Sequence, residues 1–90
     1  MKKITLFSSS LKILTILKKI YIIKKIYLDK NEELIKKYCY RNKIDFINYS
    51  EKNIIKDKDF TELAITYGYN KIFSNKIIKK FKMGIWNIHP

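Results

Sequence analysis

Residues 3–28 read KITLFSSSLKILTILKKIYIIKKIYL, and the pattern of apolar residues changes twice along them. Lys3–Ser8 is short and rich in apolar and β-branched residues, which predicts a first strand that ends in a serine turn. Leu11–Lys19 has apolar residues at i, i+3, i+4 and i+7, the spacing of one helical face. Tyr21–Leu28 returns to β-branched and aromatic residues, so the segment predicts a strand–helix–strand unit. The apolar positions of the predicted helix are Ile13, Ile16, Leu17 and Ile20.

The following segment predicts a second helix and a third strand. Asp29 is expected to be the N-cap of a helix over Lys30–Arg41, because Glu32 stands at the capping-box position three residues later. Ile44–Tyr49 is a short run rich in β-formers and predicts a strand. Ser50–Lys56 is a poor helix or a loop. The residues expected on the buried face of the second helix are Leu34, Ile35 and Tyr38.

The rest of the chain repeats this alternation. Phe60–Thr66 predicts a fourth strand, and Ser74 is expected to cap a helix that runs to Met83, with Gly84 as its C′ residue. Ile85–His89 predicts a last strand. Strands that alternate with helices in this way form βαβ units, which indicates an α/β fold with a mostly parallel sheet and flanking helices. The inward residues of the last helix are expected to be Ile77, Ile78 and Phe81.

Composition indicates one small, basic domain over residues 1–90. The chain carries 20 Lys and Arg against 8 Asp and Glu, a formal net charge of +12. Lys, Ile and Asn make up 44 of the 90 residues, the set that A/T-rich codons favour, and Arg41 is the only arginine. Since arginine is the residue best suited to reading phosphates and guanine edges, the charge alone is weak support for a nucleic-acid surface.

Several classes of protein and site are excluded by the sequence. One cysteine, Cys39, and one histidine, His89, exclude an intramolecular disulfide, a cysteine-based zinc cluster and a paired-histidine metal site. Cys39 is expected to be a packing residue. The apolar run Leu11–Leu28 contains five lysines, which predicts no transmembrane segment and no membrane partner. Because Ser8–Ser10 interrupts the apolar run after Met1 and no cleavage motif follows, we expect a cytoplasmic protein.

The last predicted strand contains the polar pair with the clearest chemistry. Asn87 and His89 are two residues apart, so on an extended strand both side chains point to one face. Trp86 and Ile88 are expected on the other face, under the Ser74–Met83 helix. A carboxamide and an imidazole side by side could stabilise an oxyanion and transfer a proton at one carbonyl group. The alternative is a surface asparagine and a terminal histidine without a shared role.

The sequence around this pair resembles the Asn-x-His-Pro strand of the formyltransferases that use 10-formyltetrahydrofolate. Residues 84–90, GIWNIHP, match that strand, and residues 67–73, YGYNKIF, are similar to the hydrophobic-Gly-x-x-Ile-Leu turn that precedes it in the family. The opening Lys3–Ser8 fits the family's first strand, although serines replace the usual glycine of the next loop. The resemblance is good over residues 60–90, and residues 1–59 are compatible with it.

The resemblance implies a fold, a reaction and a set of site residues. The fold would be a partial Rossmann-like sheet of the formyltransferase type. The reaction would transfer a formyl group from 10-formyltetrahydrofolate to an amine, carried by methionyl-tRNA, an amino sugar nucleotide or glycinamide ribonucleotide. Asn87 would stabilise the oxyanion, and His89 would stabilise the charge or move a proton. The Gly68 turn and the backbone of Lys71, Ile72 and Phe73 would bind the pterin of the cofactor, without a metal.

The family pattern continues past His-Pro with Ser-Leu-Leu-Pro and, some tens of residues later, an Asp that organises proton transfer. These features lie beyond Pro90, so we expect residues 1–90 to be one incomplete N-terminal formyltransferase domain that is inactive alone. A separate chain that supplies the other half would be a partner. The alternative from a different class is a small, basic, non-enzymatic module that binds nucleic acid or an acidic partner.

Overall fold

The computed structural model describes residues 1–88 and contains a five-stranded, all-parallel sheet with four helices. The predicted last strand reaches His89, which, with Pro90, lies outside the described residues. The strands are β1 (Lys3–Phe7), β2 (Ile22–Leu28), β3 (Asp45–Asn48), β4 (Leu63–Tyr67) and β5 (Ile85–Ile88). The helices are α1 (Leu11–Leu17), α2 (Glu33–Arg41), α3 (Glu51–Lys56) and α4 (Asn75–Ile78).

The order of the strands across the sheet is β3-β2-β1-β4-β5. All four neighbouring pairs are parallel. The chain therefore moves outward from β1 to β3 and then crosses to β4 on the other side of β1. This is the strand order of a Rossmann-like sheet, with its topological switch between β1 and β4. The predicted α/β class and parallel sheet are confirmed.

Two hydrophobic clusters cover the two faces of the sheet. The first lies under α1 and α2 and includes Leu14 and Ile35, which are almost fully buried. The second lies under α3 and α4 and includes Ile54 and Ile77, both fully buried. Consecutive crossovers that move in opposite directions across a sheet place their helices on opposite faces, because each crossover is right-handed. The two clusters, one on each face of the sheet, therefore form the hydrophobic core of one domain.

The buried face of α1 differs from the predicted one. Leu14 and Leu17 are buried, whereas Ile16 and Ile20 are 45% and 58% exposed. Ile20 lies beyond the end of the helix, in the turn that leads to β2. The predicted face is thus confirmed at Leu17, which is buried, and at Ile13, which packs against the first cluster, and it is wrong at Ile16 and Ile20.

The start of α2 also differs from the prediction. The helix begins at Glu33 and its N-cap is Glu32, whose side chain makes no capping hydrogen bond. Asp29 is therefore not the N-cap: its carboxylate accepts hydrogen bonds from Ser9 and from the backbone N–H of Asn70. These partners lie on two other loops, and they replace the local capping geometry that the sequence suggested. The buried residues of α2 are Ile35 and Cys39, while the predicted Leu34 is 69% exposed.

The helix predicted from Ser74 to Met83 is shorter than expected. Ser74 does cap α4, since its side chain accepts the N–H of Ile77. After Ile78 the backbone tightens into turns, and Met83 N–H donates to Glu62 C=O at 2.7 Å to begin β5 beside β4. Gly84 has a left-handed φ of +82° and ends these turns rather than a helix.

The orientation predicted for β5 is wrong. Ile85 packs with the second cluster, which contains Ile77 of α4, whereas Ile88 packs with the first cluster on the opposite face. Trp86 shares the face of Ile88 and is 53% exposed, with its indole N–H donating to Met83 C=O at 3.1 Å. The helix α4 therefore covers the face of Ile85 and Asn87. Among residues 1–88, no helix has the length and apolar character needed to cross a membrane.

Candidate functional site

The candidate site lies at the carboxyl edge of the sheet, where all five parallel strands end. Ligands of open parallel sheets bind outside this edge, at the switch in strand order. Here the switch lies between β1 and β4, so the adjoining loops are Ser8–Ser10 and the segment that begins at Gly68. The loop Asp29–Glu32 after β2 lies beside them.

A hydrogen-bonded knot joins these three loops. Ser9 Oγ donates to Asp29 Oδ1 at 2.6 Å and accepts the backbone N–H groups of Asp29 and Lys30, both at 3.0 Å. The other carboxylate oxygen of Asp29 accepts the N–H of Asn70 at 3.0 Å. The knot thus ties the ends of β1, β2 and β4 together. A site built on it is held in place before any ligand arrives.

Two cavities lie on either side of this knot and share Asp29 and Lys30. The switch cavity, of about 140 Å³, is also lined by Gly68. The lysine cavity, of about 240 Å³, lies toward β3 and is also lined by Tyr49 and Lys71. The remaining lining residues are Ser9, Ser10, Glu32 and Tyr67 in the first and Leu28, Asn31 and Asn48 in the second.

An aromatic cluster packs beneath the loops at this edge of the sheet. The Phe7 ring is fully buried and stacks on Tyr27 with 5.0 Å between ring centroids. It also contacts the rings of Tyr49, Tyr69 and Phe73 edge-on, at centroid distances of 6.4, 5.6 and 4.8 Å. Such pairs stabilise the fold beyond the area that they bury. The loop that follows Gly68 is therefore anchored by two of its own side chains.

One group in this cluster lacks a partner. The Tyr69 hydroxyl is buried and makes no hydrogen bond with any of residues 1–88. Burial, followed by the nearby charges of Asp29, Tyr49 and Tyr27, raises the pKa of Tyr69 above its ordinary value. Tyr69 is therefore neutral at physiological pH and cannot serve there as a phenolate base.

The predicted cofactor-binding residues fall in different environments. Gly68 has a left-handed φ of +58° at the switch cavity, a conformation that favours glycine. Lys71 lines the lysine cavity, and its ammonium group lies 5.8 Å from the Tyr49 ring centroid. The Ile72 side chain is 96% exposed, whereas the Phe73 ring packs in the aromatic cluster. The structure thus brings Gly68 and Lys71 to the two sides of the knot.

Asn87 lies on the last described strand, next to the end of β4. Its sheet partner is Thr66, two positions before Gly68, and the Asn87 side chain is exposed. Strand separations of about 4.8 Å place it close to the loop that begins at Gly68. It lines neither cavity. His89, predicted to act with it, lies outside the described residues.

The knot itself was not predicted from the sequence. Ser8–Ser10 has the composition of a polar turn and no phosphate-binding pattern, and Asp29 has the spacing of a helix cap. Asp29 is 20 positions from Ser9 and 41 positions from Asn70, so no local sequence pattern predicts these hydrogen bonds. The available signal was their position, since each follows a predicted strand of a parallel sheet.

No family model and no curated protein matches this chain. The residues around Gly68 and Asn87 therefore stand as the basis for any assignment of function. Chemically, the edge offers a carboxamide on β5, a left-handed glycine turn beside it, and two lysines on the far side of the knot.

Proposed function

We propose that this chain is part of a formyltransferase that uses 10-formyltetrahydrofolate. The supporting observation is the arrangement of the YGYNKIF turn and the NIHP sequence, which are separated along the chain by α4. Asn87 is paired with Thr66, so the carboxamide lies beside the strand end from which the Gly68 turn departs. A site for a folate and its formyl group would then lie at the carboxyl ends of β4 and β5.

In the proposed reaction, the nitrogen of a substrate amine attacks the formyl carbon of the donor. The carbonyl oxygen becomes an oxyanion, which accepts a hydrogen bond from the Asn87 carboxamide N–H. His89 stabilises this charge or transfers the proton from the attacking amine to the departing folate nitrogen. The carbon–nitrogen bond of the donor then breaks, and the formyl group remains on the amine. The acceptor would be methionyl-tRNA, an amino sugar nucleotide or glycinamide ribonucleotide.

Turnover in the family that the sequence resembles also depends on a later Asp. We propose that a downstream segment, supplied in the same or a separate chain, provides this residue and pairs with β5, the outermost strand on that side of the described sheet. Residues 1–90 alone would then bind the donor without transferring its formyl group. The proposal places this protein in the cytoplasm.

Donor binding is the first test. We expect the full chain to bind 5-formyltetrahydrofolate, a stable isomer of the donor, with saturable heat in a calorimetric titration. Gly68→Val weakens this binding, since a β-branched residue is strained at φ +58° and displaces the turn. Absence of binding at millimolar ligand by the wild-type chain would reject the proposal.

Catalysis is tested with the downstream segment co-expressed. Asn87→Ala is expected to lower kcat about 100- to 1,000-fold, the usual effect of removing an oxyanion donor. Asn53→Ala is the matched control, because Asn53 is exposed on α3, which follows the strand at the opposite edge of the sheet. Equal activity of the Asn87 variant and the wild type would remove Asn87 from the mechanism.

A second candidate is a basic module that binds nucleic acid. Among residues 1–88, only Lys24 and Lys25 form ion pairs, with Asp59 and Asp57, which leaves most of the positive charge uncompensated. Binding driven by phosphate contacts weakens steeply as salt rises. An affinity that falls with salt and does not respond to Asn87 substitution would favour this function over formyl transfer.

A further inference from the structure

We propose that the lysine cavity is a binding site for a phosphate monoester. The cavity lies on the side of the knot that faces away from β4 and β5. The cavity has a volume of about 240 Å³ and lies outside the carboxyl ends of β2 and β3. It is defined by the loop after β2, the end of β3 and Lys71 of the Gly68 loop. This inference does not depend on formyl transfer, since it uses the side chain of Lys71 rather than its backbone, shares no other residue with the donor site and is tested by a different ligand.

Two uncompensated cations line the cavity. Lys30 and Lys71 both border it, and neither has a carboxylate within ion-pair distance among residues 1–88. The only acidic lining residue is Asp29, and both of its carboxylate oxygens already accept hydrogen bonds in the knot. The ammonium groups are therefore available to an anion, and with two lysines against one carboxylate the lining has a net charge of +1.

Two carboxamides add neutral donors to these cations. Lys36 donates to Asn31 Oδ1, which leaves the Nδ2 hydrogens of Asn31 as the free part of that amide. The Asn48 side chain is exposed and borders the same space. Hydrogen bonds from charged and amide donors to phosphate oxygens are stronger than neutral pairs. The available donors thus suit an acceptor-rich dianion.

Backbone and aromatic contacts fix the walls of the cavity, and the Lys71 ammonium group lies over one of the aromatic rings. Tyr49 N–H donates to Leu28 C=O at 2.7 Å, which joins the end of β3 to the end of β2. The Tyr49 ring packs edge-on against the Phe73 ring, with 6.1 Å between the ring centroids, and lies under the Lys71 ammonium group. Lys71 is therefore held near the cavity by its own loop and by this ring. Such preorganisation lowers the entropic cost of binding.

Size and polarity select the class of ligand. One ordered water occupies about 30 Å³, and pockets for drug-sized molecules begin at roughly 300 Å³. A cavity of 240 Å³ therefore suits a phosphate group with a small substituent. Tyr49 is the one aromatic lining residue and its ring is engaged in the aromatic cluster, so the cavity offers no free stacking surface for a nucleobase.

The test uses inorganic phosphate and glycerol 3-phosphate, with glycerol at matched ionic strength as the control ligand. We expect both phosphates to bind saturably to the full chain, with amide chemical-shift changes concentrated at residues 29–31, 48–49 and 71. Lys30→Gln and Lys71→Gln should each weaken binding about fivefold. Lys19→Gln is the matched control, and this replacement should leave the affinity unchanged. Lys19 is exposed after the end of α1, near the amino ends of the strands, whereas the cavity lies at their carboxyl ends.

Three outcomes would overturn the proposal. The first is equal weakening of phosphate binding by all three lysine substitutions, which would mean diffuse attraction to a basic surface. The second is a set of amide chemical-shift changes spread over the whole chain. The third is succinate binding as tightly as phosphate. Asn87→Ala should leave phosphate affinity unchanged. A failure of donor binding together with normal phosphate binding would therefore reject formyl transfer alone.

Discussion

Two tyrosine hydroxyls in the second cluster have opposite surroundings. Tyr27 is buried and its hydroxyl donates to Asp57 Oδ2 at 3.0 Å, while the buried Tyr69 hydroxyl has no partner among residues 1–88. Burial of an unpartnered polar group costs about 1–3 kcal/mol, whereas a made hydrogen bond contributes about 1 kcal/mol. The two residues thus allow the same chemical change to be tested in both situations.

We predict that Tyr69→Phe leaves the free energy of unfolding unchanged or raises it by about 1 kcal/mol, because only the unpartnered oxygen is removed. Tyr27→Phe should lower it by about 1–2 kcal/mol, since Asp57 loses a donor. Urea denaturation followed by circular dichroism measures both. A loss at position 69 as large as that at position 27 would show that the Tyr69 hydroxyl has a partner in solution.

Asp29 shows where reasoning from single residues stops. Its spacing to Glu32 is that of a capping box, yet its carboxylate binds Ser9 and Asn70 instead. Local spacing cannot rank a nearby N–H against donors that arrive from loops 20 and 41 residues away. Gly68, by contrast, was predictable as a turn residue, because few other residues accept a left-handed φ.

At the scale of elements, the end of α3 is fastened to β2 by one carboxylate. Asp57, the C-cap of α3, forms an ion pair with Lys25 and accepts the Tyr27 hydroxyl. Burial opposes the charged form, but the hydrogen bonds from Lys25, the Asp59 N–H and Tyr27 outweigh it and lower the pKa of Asp57 below its usual 3.8. The ionised carboxylate is thus bound more favourably in the folded chain than in the unfolded chain.

This shift predicts acid sensitivity. A carboxylate with a depressed folded pKa stabilises the protein above its unfolded pKa, and the contribution is lost as pH falls through the folded pKa. The unfolding free energy of the wild type should therefore decrease below about pH 4. Asp57→Asn should cost about 1–2 kcal/mol at neutral pH and flatten this decrease. Asp45→Asn, at an exposed position on β3, is the control that should retain the wild-type profile; an unchanged profile in the Asp57 variant would contradict the assignment.

Most elements, though not all of their limits, were predictable from the sequence. All five strands and the α1, α2 and α4 regions follow from changes in apolar period, and the weak Ser50–Lys56 segment forms α3 with Ser50 as its cap. The end of α4 was not predictable, because it depends on the Met83 N–H pairing with Glu62 on the neighbouring chain segment. Helix limits set by such tertiary bonds leave no trace in local propensity.

At the scale of the whole molecule, the parallel α/β architecture was predictable, but the facing of β5 was not. Alternation along β5 separates Ile85 and Asn87 from Trp86 and Ile88, yet it does not say which pair faces α4. The register with β4 decides this: Ala64 pairs with Ile85, so Ile85 and Asn87 share the face of the second cluster. Asn87 is therefore on the same face as the aromatic cluster that supports the Gly68 loop.

Cys39 in the first cluster provides a probe of how the molecule unfolds as a whole. Cys39 is fully buried on the inner face of α2, and burial raises the pKa of its thiol to about 11. Because only the thiolate reacts and the chain has no other cysteine, labelling at neutral pH reports exposure of this face alone. We predict that folded protein reacts with an iodoacetamide reagent at least about a thousandfold more slowly than free cysteine.

The dependence of this labelling rate on urea distinguishes two ways of exposing the first cluster. If the two faces of the sheet unfold together, the labelling rate should rise in parallel with the loss of circular dichroism. The double variant Cys39→Ser/Lys19→Cys moves the lone thiol to an exposed site and should react at once without urea. Rapid labelling of Cys39 without denaturant would mean that α2 detaches from the sheet by itself. The lysine cavity, whose walls adjoin the start of α2, would then be formed only part of the time, and its affinity for phosphate would fall by that fraction.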